Sequence, residues 1–207
     1  MKKNTLIFYF SFLLFITSCS LTEDEVYVEQ SQVENNLNVE KPARTDWAFI
    51  AQQLIQSYNN NYSTTGSTLT QKIVRLDSAS INVVLYNDLK PINFFLPTTT
   101  EAQVFLTNYE SAYSSLSVSE SMESYFTALL QDDANYDVLL NTLQDDELLT
   151  TSEKEQLQFI VMYISDTAGV PNDNIWKKRN IVAAIKGFEK STANALFNVA
   201  LVEVSKN

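Results

Sequence analysis

The 207-residue chain carries 25 acidic against 14 basic side chains, for a net charge of −11, with no histidine and a single cysteine. So negative a chain argues against nucleic acid as a partner and against adsorption to anionic lipid, while the missing histidine and lone cysteine exclude Ser-His-Asp or Cys-His catalysis, Cys/His zinc sites and an intramolecular disulfide. Three glycines, at 66, 169 and 187, and four prolines are too few for a many-stranded barrel or a Gly-rich phosphate loop, so the composition leans all-α.

The first eighteen residues read as a targeting segment. Lys2 and Lys3 form a positive start, and residues 6–16 form an apolar run of eleven broken only by Ser11. A spanning helix needs about 20 apolar residues, so this run is too short to cross a bilayer and has the flanks of a cleavable signal. Ile16-Thr17-Ser18 then lead into Cys19. This arrangement resembles the lipobox of bacterial lipoprotein precursors cut by signal peptidase II. The resemblance implies an acylated N-terminal Cys19, anchored by palmitate-like chains. More than one chain anchors stably, at ~0.8 kcal/mol per buried CH₂. Removing residues 1–18 takes away two lysines and no acid, moving the net charge from −11 to −13.

Next to Cys19 stands an acidic run that includes Glu23, Asp24 and Glu25. It resembles the export signal of Bacteroidetes-type surface lipoproteins, which implies the outer face of the outer membrane. An acidic tether that merely stays solvated is the other reading. Asp77-Ser78-Ala79 and Asp166-Thr167-Ala168 resemble the O-glycosylation sequon of the same bacterial group, with Ser78 and Thr167 as acceptors. Residues 19–43 lack an apolar period and are expected to be a disordered tether, spanning at most ~80 Å if fully extended. Residues 44–207 have the length of one domain.

Trp47, Ile50, Ala51, Leu54, Ile55 and Tyr58 share one helix face, with Thr45 or Asp46 as the cap. Leu69, Ile73 and Leu76 suggest a short helix. Residues 81–86 and 92–96, rich in β-branched and aromatic side chains, fit either a small hairpin or a helix followed by an extended connector; the helical version is preferred. Thr98, Thr99 or Thr100 caps a helix carrying Phe105, Tyr109, Ala112 and Leu116. Ser117-Val118-Ser119-Glu120 has capping-box form before Met122, Tyr125, Phe126, Leu129 and Leu130. A short helix over 136–143 follows, and Ser152-Glu153-Lys154-Glu155 is a second box, ahead of Leu157, Ile160, Val161 and Ile164. Gly169 and Pro171 mark the stop. Residues 174–204 form the longest helical candidate, apolar nearly all round after Ala195, hence central in the fold. The expectation is a bundle of six or seven helices with a long C-terminal helix.

Asp132-Asp133 and Asp145-Asp146-Glu147 are the remaining candidates for cation binding or acid/base work. Neither has the turn glycine of an EF-hand loop, and both are read as solvated helix ends where acids favour an N-terminal dipole. Lys177, Lys178, Arg179, Lys186 and Lys190 give the last helix a basic face. That face suits either an anionic membrane surface or, as preferred, packing into an acidic bundle. The tyrosines are read as core residues with their hydroxyls at the edge.

No catalytic, cofactor or metal site is assigned. The expected function is a non-enzymatic binding or interaction lipoprotein at the bacterial outer membrane, held by its acyl chains, with an unknown protein or small-molecule partner. The alternative is an envelope immunity lipoprotein that neutralises a toxin. A carboxylate-based hydrolase ranks third.

Overall fold

Residues 46–62, 66–166 and 173–206 are described by a computed structural model, and every regular element among them is a helix. The first, α1 (Trp47–Asn61), begins where the Asp46 carboxylate accepts the Phe49 N–H at 3.1 Å, as the sequence predicts. Ala48, Ile50, Ala51, Leu54 and Tyr58 form its buried stripe. Gly66, at φ +73°, occupies the left-handed conformation that glycine adopts without a Cβ penalty. Helix α2 (Leu69–Ser80) then starts with a reciprocal box between Thr68 and Gln71.

The ambiguous stretch 81–96 is not a hairpin but a short helix, α3 (Val84–Leu89), followed by an irregular connector. Side chains close the turn that joins it to α2: Asn87 Nδ2 donates to Ser80 O at 3.1 Å and to Ile81 O at 3.0 Å. Lys90 Nζ lies 4.9 Å from the Tyr86 ring centre and 5.2 Å from that of Phe94. Phe94 in turn packs edge-on against Phe197. Of the β-branched residues that suggested strands, Ile81, Val84 and Ile92 stand exposed, while Val83 is buried together with Tyr86. Burial on one side of a short helix overrides the local strand preference.

Thr98 and Glu101 box the start of α4 (Thr99–Leu106). The predicted stripe from Phe105 to Leu116 is broken by a widened turn, in which both Thr107 N–H and Asn108 N–H donate to Gln103 O at 3.0 Å. A separate α5 (Tyr109–Ser114) follows. Ser119, not Ser117, caps α6 (Glu120–Leu129), and Asn135 caps α7 (Tyr136–Asp145). The box of α8 (Thr151–Asp166) is Thr150 with Glu153, two residues before the Ser152–Glu155 pair that the sequence suggests.

The predicted long C-terminal helix is two helices, α9 (Asn174–Phe188) and α10 (Thr192–Val204). Ser191 is extended, at φ −169°, and its hydroxyl accepts the Asn194 N–H at 3.1 Å, starting a new helix. Lys190 N–H and Ser191 N–H both donate to Gly187 O at 2.9 Å, closing the preceding one. This break, the one at 107–108 and the short α3 account for ten helices among the described residues where the sequence suggests six or seven.

Helix α10 is central, as expected from its composition: residues 193–202 and Val204 are all buried. It packs most closely on α9 and α1, and also meets α2, α3 and α4. The approach to α9 is so close that a Cβ on Gly187 would overlap the backbone of Asn194 and Ala195. Around this pair an aromatic chain runs from Trp47 through Phe188 and Phe159 to Tyr163 and Trp176, joining α1, α8 and α9. The described residues belong to one compact unit spanning Pro42–Asn207.

Two expected outcomes test this packing. Gly187→Ala meets backbone that cannot swing aside, so it should destabilise by about 3 kcal/mol, the upper end for overpacking, read as a lower urea midpoint. Tyr86 is buried with no hydrogen-bond partner for its hydroxyl among the described residues, and so is Tyr58, whose hydroxyl the sequence reading places at the edge of the core. Tyr86→Phe should therefore leave stability unchanged or raise it by up to about 1 kcal/mol at neutral pH. Burial, and secondarily the Asp77 charge, push the Tyr86 phenol above its ordinary 10.0. A raised folded pKa gives stability that is present below the unfolded value and lost as pH rises beyond it. The same variant should accordingly blunt alkaline unfolding above pH 10.0, as followed by circular dichroism.

Candidate functional site

The residues singled out in the sequence scatter. Cys19, Glu23, Asp24, Glu25 and Thr167 lie outside the described residues. Ser78 is exposed on α2, with its Oγ donating to Val74 O at 3.0 Å. Its sequon neighbours face different surroundings: Ala79 is buried, while Asp77 lies 3.5 Å from Lys90 Nζ.

The acidic pairs are not N-terminal dipole partners. Asp132 and Asp133 sit in the turn before Asn135, which is the cap of α7, and Asp145 is the last residue of that helix. Asp146 accepts the Tyr125 hydroxyl at 3.2 Å and the Leu148 N–H at 2.9 Å, fastening the α7–α8 turn. Among the described residues no group of three acidic or thiol side chains is placed to hold a metal ion.

The basic face of α9 is engaged within the fold. Lys178 Nζ reaches Glu110 on α5 at 2.8 Å, and Lys190 reaches Glu101 on α4 at 2.6 Å. The hydrogen bond from Lys190, followed by the Thr98 N–H, holds the Glu101 carboxyl below its usual range. Arg179 stacks 4.9 Å over the Tyr109 ring, and Lys186 pairs with Glu189. Lys177 is buried outright, and its ammonium donates to Leu129 O at 2.8 Å and Gln131 O at 3.2 Å. Those carbonyls belong to the end of α6, where a cation complements the helix dipole. Burial lowers the Lys177 pKa and the Asp132 charge opposes the shift.

One groove combines apolar walls with charge left unpaired. It encloses about 330 Å³ between the first turn of α1 and the middle of α8, lined by Asp46, Trp47, Glu155, Gln158, Phe159 and Met162. Local chemistry puts each residue there. Asp46 must precede α1 because it is the cap, so its carboxylate sits at the helix mouth. Trp47 follows, half-buried, with its ring 6.3 Å from Phe159 and 5.6 Å from Phe188. On α8 the spacing of Glu155, Gln158, Phe159 and Met162 places the four on one face. Because Glu153 closes the α8 capping box, Glu155 is left out of it.

Near the rim the Asp46 carboxylate acts on that of Asp166. Burial first, and then the Asp46 charge, push Asp166 above its ordinary 3.8, while a 3.3 Å bond from Gln52 Nε2 lowers it. None of Asp46, Glu155 and Asp166 forms an ion pair among the described residues. A second depression, lined largely by amides of Gln53, Gln56, Asn60, Asn61 and Asn82, is more polar and lies over exposed helix surface. The first groove is the better binding site because apolar walls with a few polar groups enclose a ligand and orient it.

No family model, no curated protein and no solved structure matches this chain. No described helix is long and apolar enough to cross a membrane.

Repulsion at the rim has a measurable sign. Asp166 with a raised folded pKa supplies stability that is present below 3.8 and lost as pH rises through the raised value. Asp166→Asn keeps the neutral form and can still accept from Gln52. Its melting temperature should exceed that of wild type at neutral pH, and the difference should vanish below pH 3.8.

Proposed function

We propose that this chain is a non-enzymatic binding lipoprotein of the bacterial outer membrane, held by acyl chains on Cys19. Its recognition site is the groove between α1 and α8. The observation that carries this reading is the groove itself: Trp47, Phe159 and Met162 line a cavity of about 330 Å³ whose carboxylates pair with no cation among the described residues. Such a site binds and orients. The lipobox-like Ile16-Thr17-Ser18-Cys19 supports the anchor, and Glu23-Asp24-Glu25 supports surface export. The acidic rim also suits the protective reading, in which the partner is a basic toxin.

Fractionation and protease shaving of intact cells test the anchor and the face. Cys19→Ala should move the protein from the membrane to the soluble fraction, because both acyl chains are lost together. Neutralising Glu23, Asp24 and Glu25 should leave the protein membrane-bound but hidden from external protease. Cys19→Ala that stays in the membrane would sink the lipoprotein reading. Wild type resistant to external protease would place its partners inside the envelope.

A further inference from the structure

The chemistry of the groove narrows what it binds. Its walls are aromatic and thioether side chains (Trp47, Phe159 and Met162), and its charged lining residues are Asp46 and Glu155, both negative. Among the described residues no lysine or arginine lines it, although the bundle sets Lys178 of α9, and Lys190 just beyond that helix, against acids on α5 and α4. An anion entering here meets repulsion on both sides, and a neutral apolar molecule leaves two carboxylates with no counter-charge. A cation with an apolar body satisfies both features. Its charge sits between the carboxylates, and its body lies against aromatic rings whose faces attract cations. The volume, about 330 Å³, is at the lower end for small-molecule sites, which points to a compact ligand.

We propose that the groove is a site for a small organic cation, an ammonium or guanidinium group carrying an apolar or aromatic substituent. The assignment rests on the groove being the recognition site proposed above, but it does not depend on acylation of Cys19. Asp46 and Glu155 supply the charge, Trp47 and Phe159 the aromatic wall, and Gln158 a side-chain amide able to accept an N–H from a primary or secondary cation. Asp46 keeps its role as cap through one carboxylate oxygen, Oδ1, leaving Oδ2 for the ligand.

The test uses the full chain in a neutral maltoside detergent, with benzyltrimethylammonium as the cation and benzyl alcohol as its uncharged counterpart. Trp47 and Trp176 are the chain's tryptophans, and Trp176 is buried with its indole N–H on Glu203. Trp176→Phe therefore leaves Trp47 as the fluorescent reporter, and calorimetry on wild type repeats the titration should that variant fold poorly. The expected result is saturable binding of the ammonium, about tenfold tighter than the alcohol, weakening as salt is added. Asp46→Asn with Glu155→Gln should erase the tenfold preference, and asparagine preserves the cap.

Equal affinity for cation and alcohol, or a double variant that keeps the preference, would overturn the proposal. So would the absence of binding by wild type. Binding that appears only after Lys41→Gln and Arg44→Gln assigns the groove to the chain's own preceding residues and likewise overturns it. Saturable binding alongside a Cys19→Ala variant that stays in the membrane would separate the two ideas, sinking the anchor and leaving the groove.

Discussion

The contact of α9 with α10 at Gly187 is the constraint around which the rest of the domain is arranged. With no Cβ in the way, the backbone around Ala195 comes against Gly187, so α10 enters the bundle instead of lying upon it. A helix buried on every side must find neighbours on every side, and α1, α2, α3 and α4 supply them. Its few polar groups are tied across helices: Asn198 Nδ2 donates to Ala183 O on α9, and Asn194 Nδ2 donates to Phe95 O beyond α3. The irregular stretch after α3 is thus fastened to the centre by a side chain, which is why it needs no strand partner.

Charge is distributed by the same arrangement. The basic α9 enters a predominantly acidic chain, and Lys178 and Lys190 clasp α5 and α4, 68 and 89 residues away in sequence. Exposed pairs of this kind each contribute about 0–1 kcal/mol, so they orient the helices more than they hold them together. Lys177 has a different role. Its buried ammonium satisfies the Leu129 carbonyl that ends α6, and removing it would strand that acceptor away from water. Once the cations of α9 are engaged in this way, Asp46, Glu155 and Asp166 are left without an ion-pair partner among the described residues. The acidic rim of the groove follows from how the bundle uses its bases.

The groove was legible only in fragments. Asp46 reads as a helix cap, and it is one; that it also edges a cavity depends on α8 lying alongside. Trp47 reads as the first member of a core stripe, yet it ends half-buried because it lies at the open end of α1. Glu155 reads as the closing acid of a capping box with Ser152. The box forms two residues earlier, between Thr150 and Glu153, and frees Glu155 for the groove. A two-residue shift of a cap is invisible to pattern reading, since serine and threonine compete equally for the position. The wall residues of α1 and α8 are more than a hundred residues apart in sequence, so no local spacing brings them together.

Patterning alone determined what depends on the nearest three or four residues. It determined that the domain is helical, that a cap at Thr45 or Asp46 precedes α1, and that the segment after Ala195 lies at the centre. Those features rest on side-chain period, local capping and composition, which act within a helical turn or over a whole segment. Tertiary structure decided where the helices stop, because Ser191 and the Gln103 carbonyl end helices only once the neighbouring helices are in place. It also decided that Tyr86 is buried while Ile81, Val84 and Ile92 are exposed, giving a short helix and an irregular connector in place of a hairpin. Above all it decided which charges pair and which remain open, since an ion pair is a matter of distance in space and the chain brings its partners together only by folding.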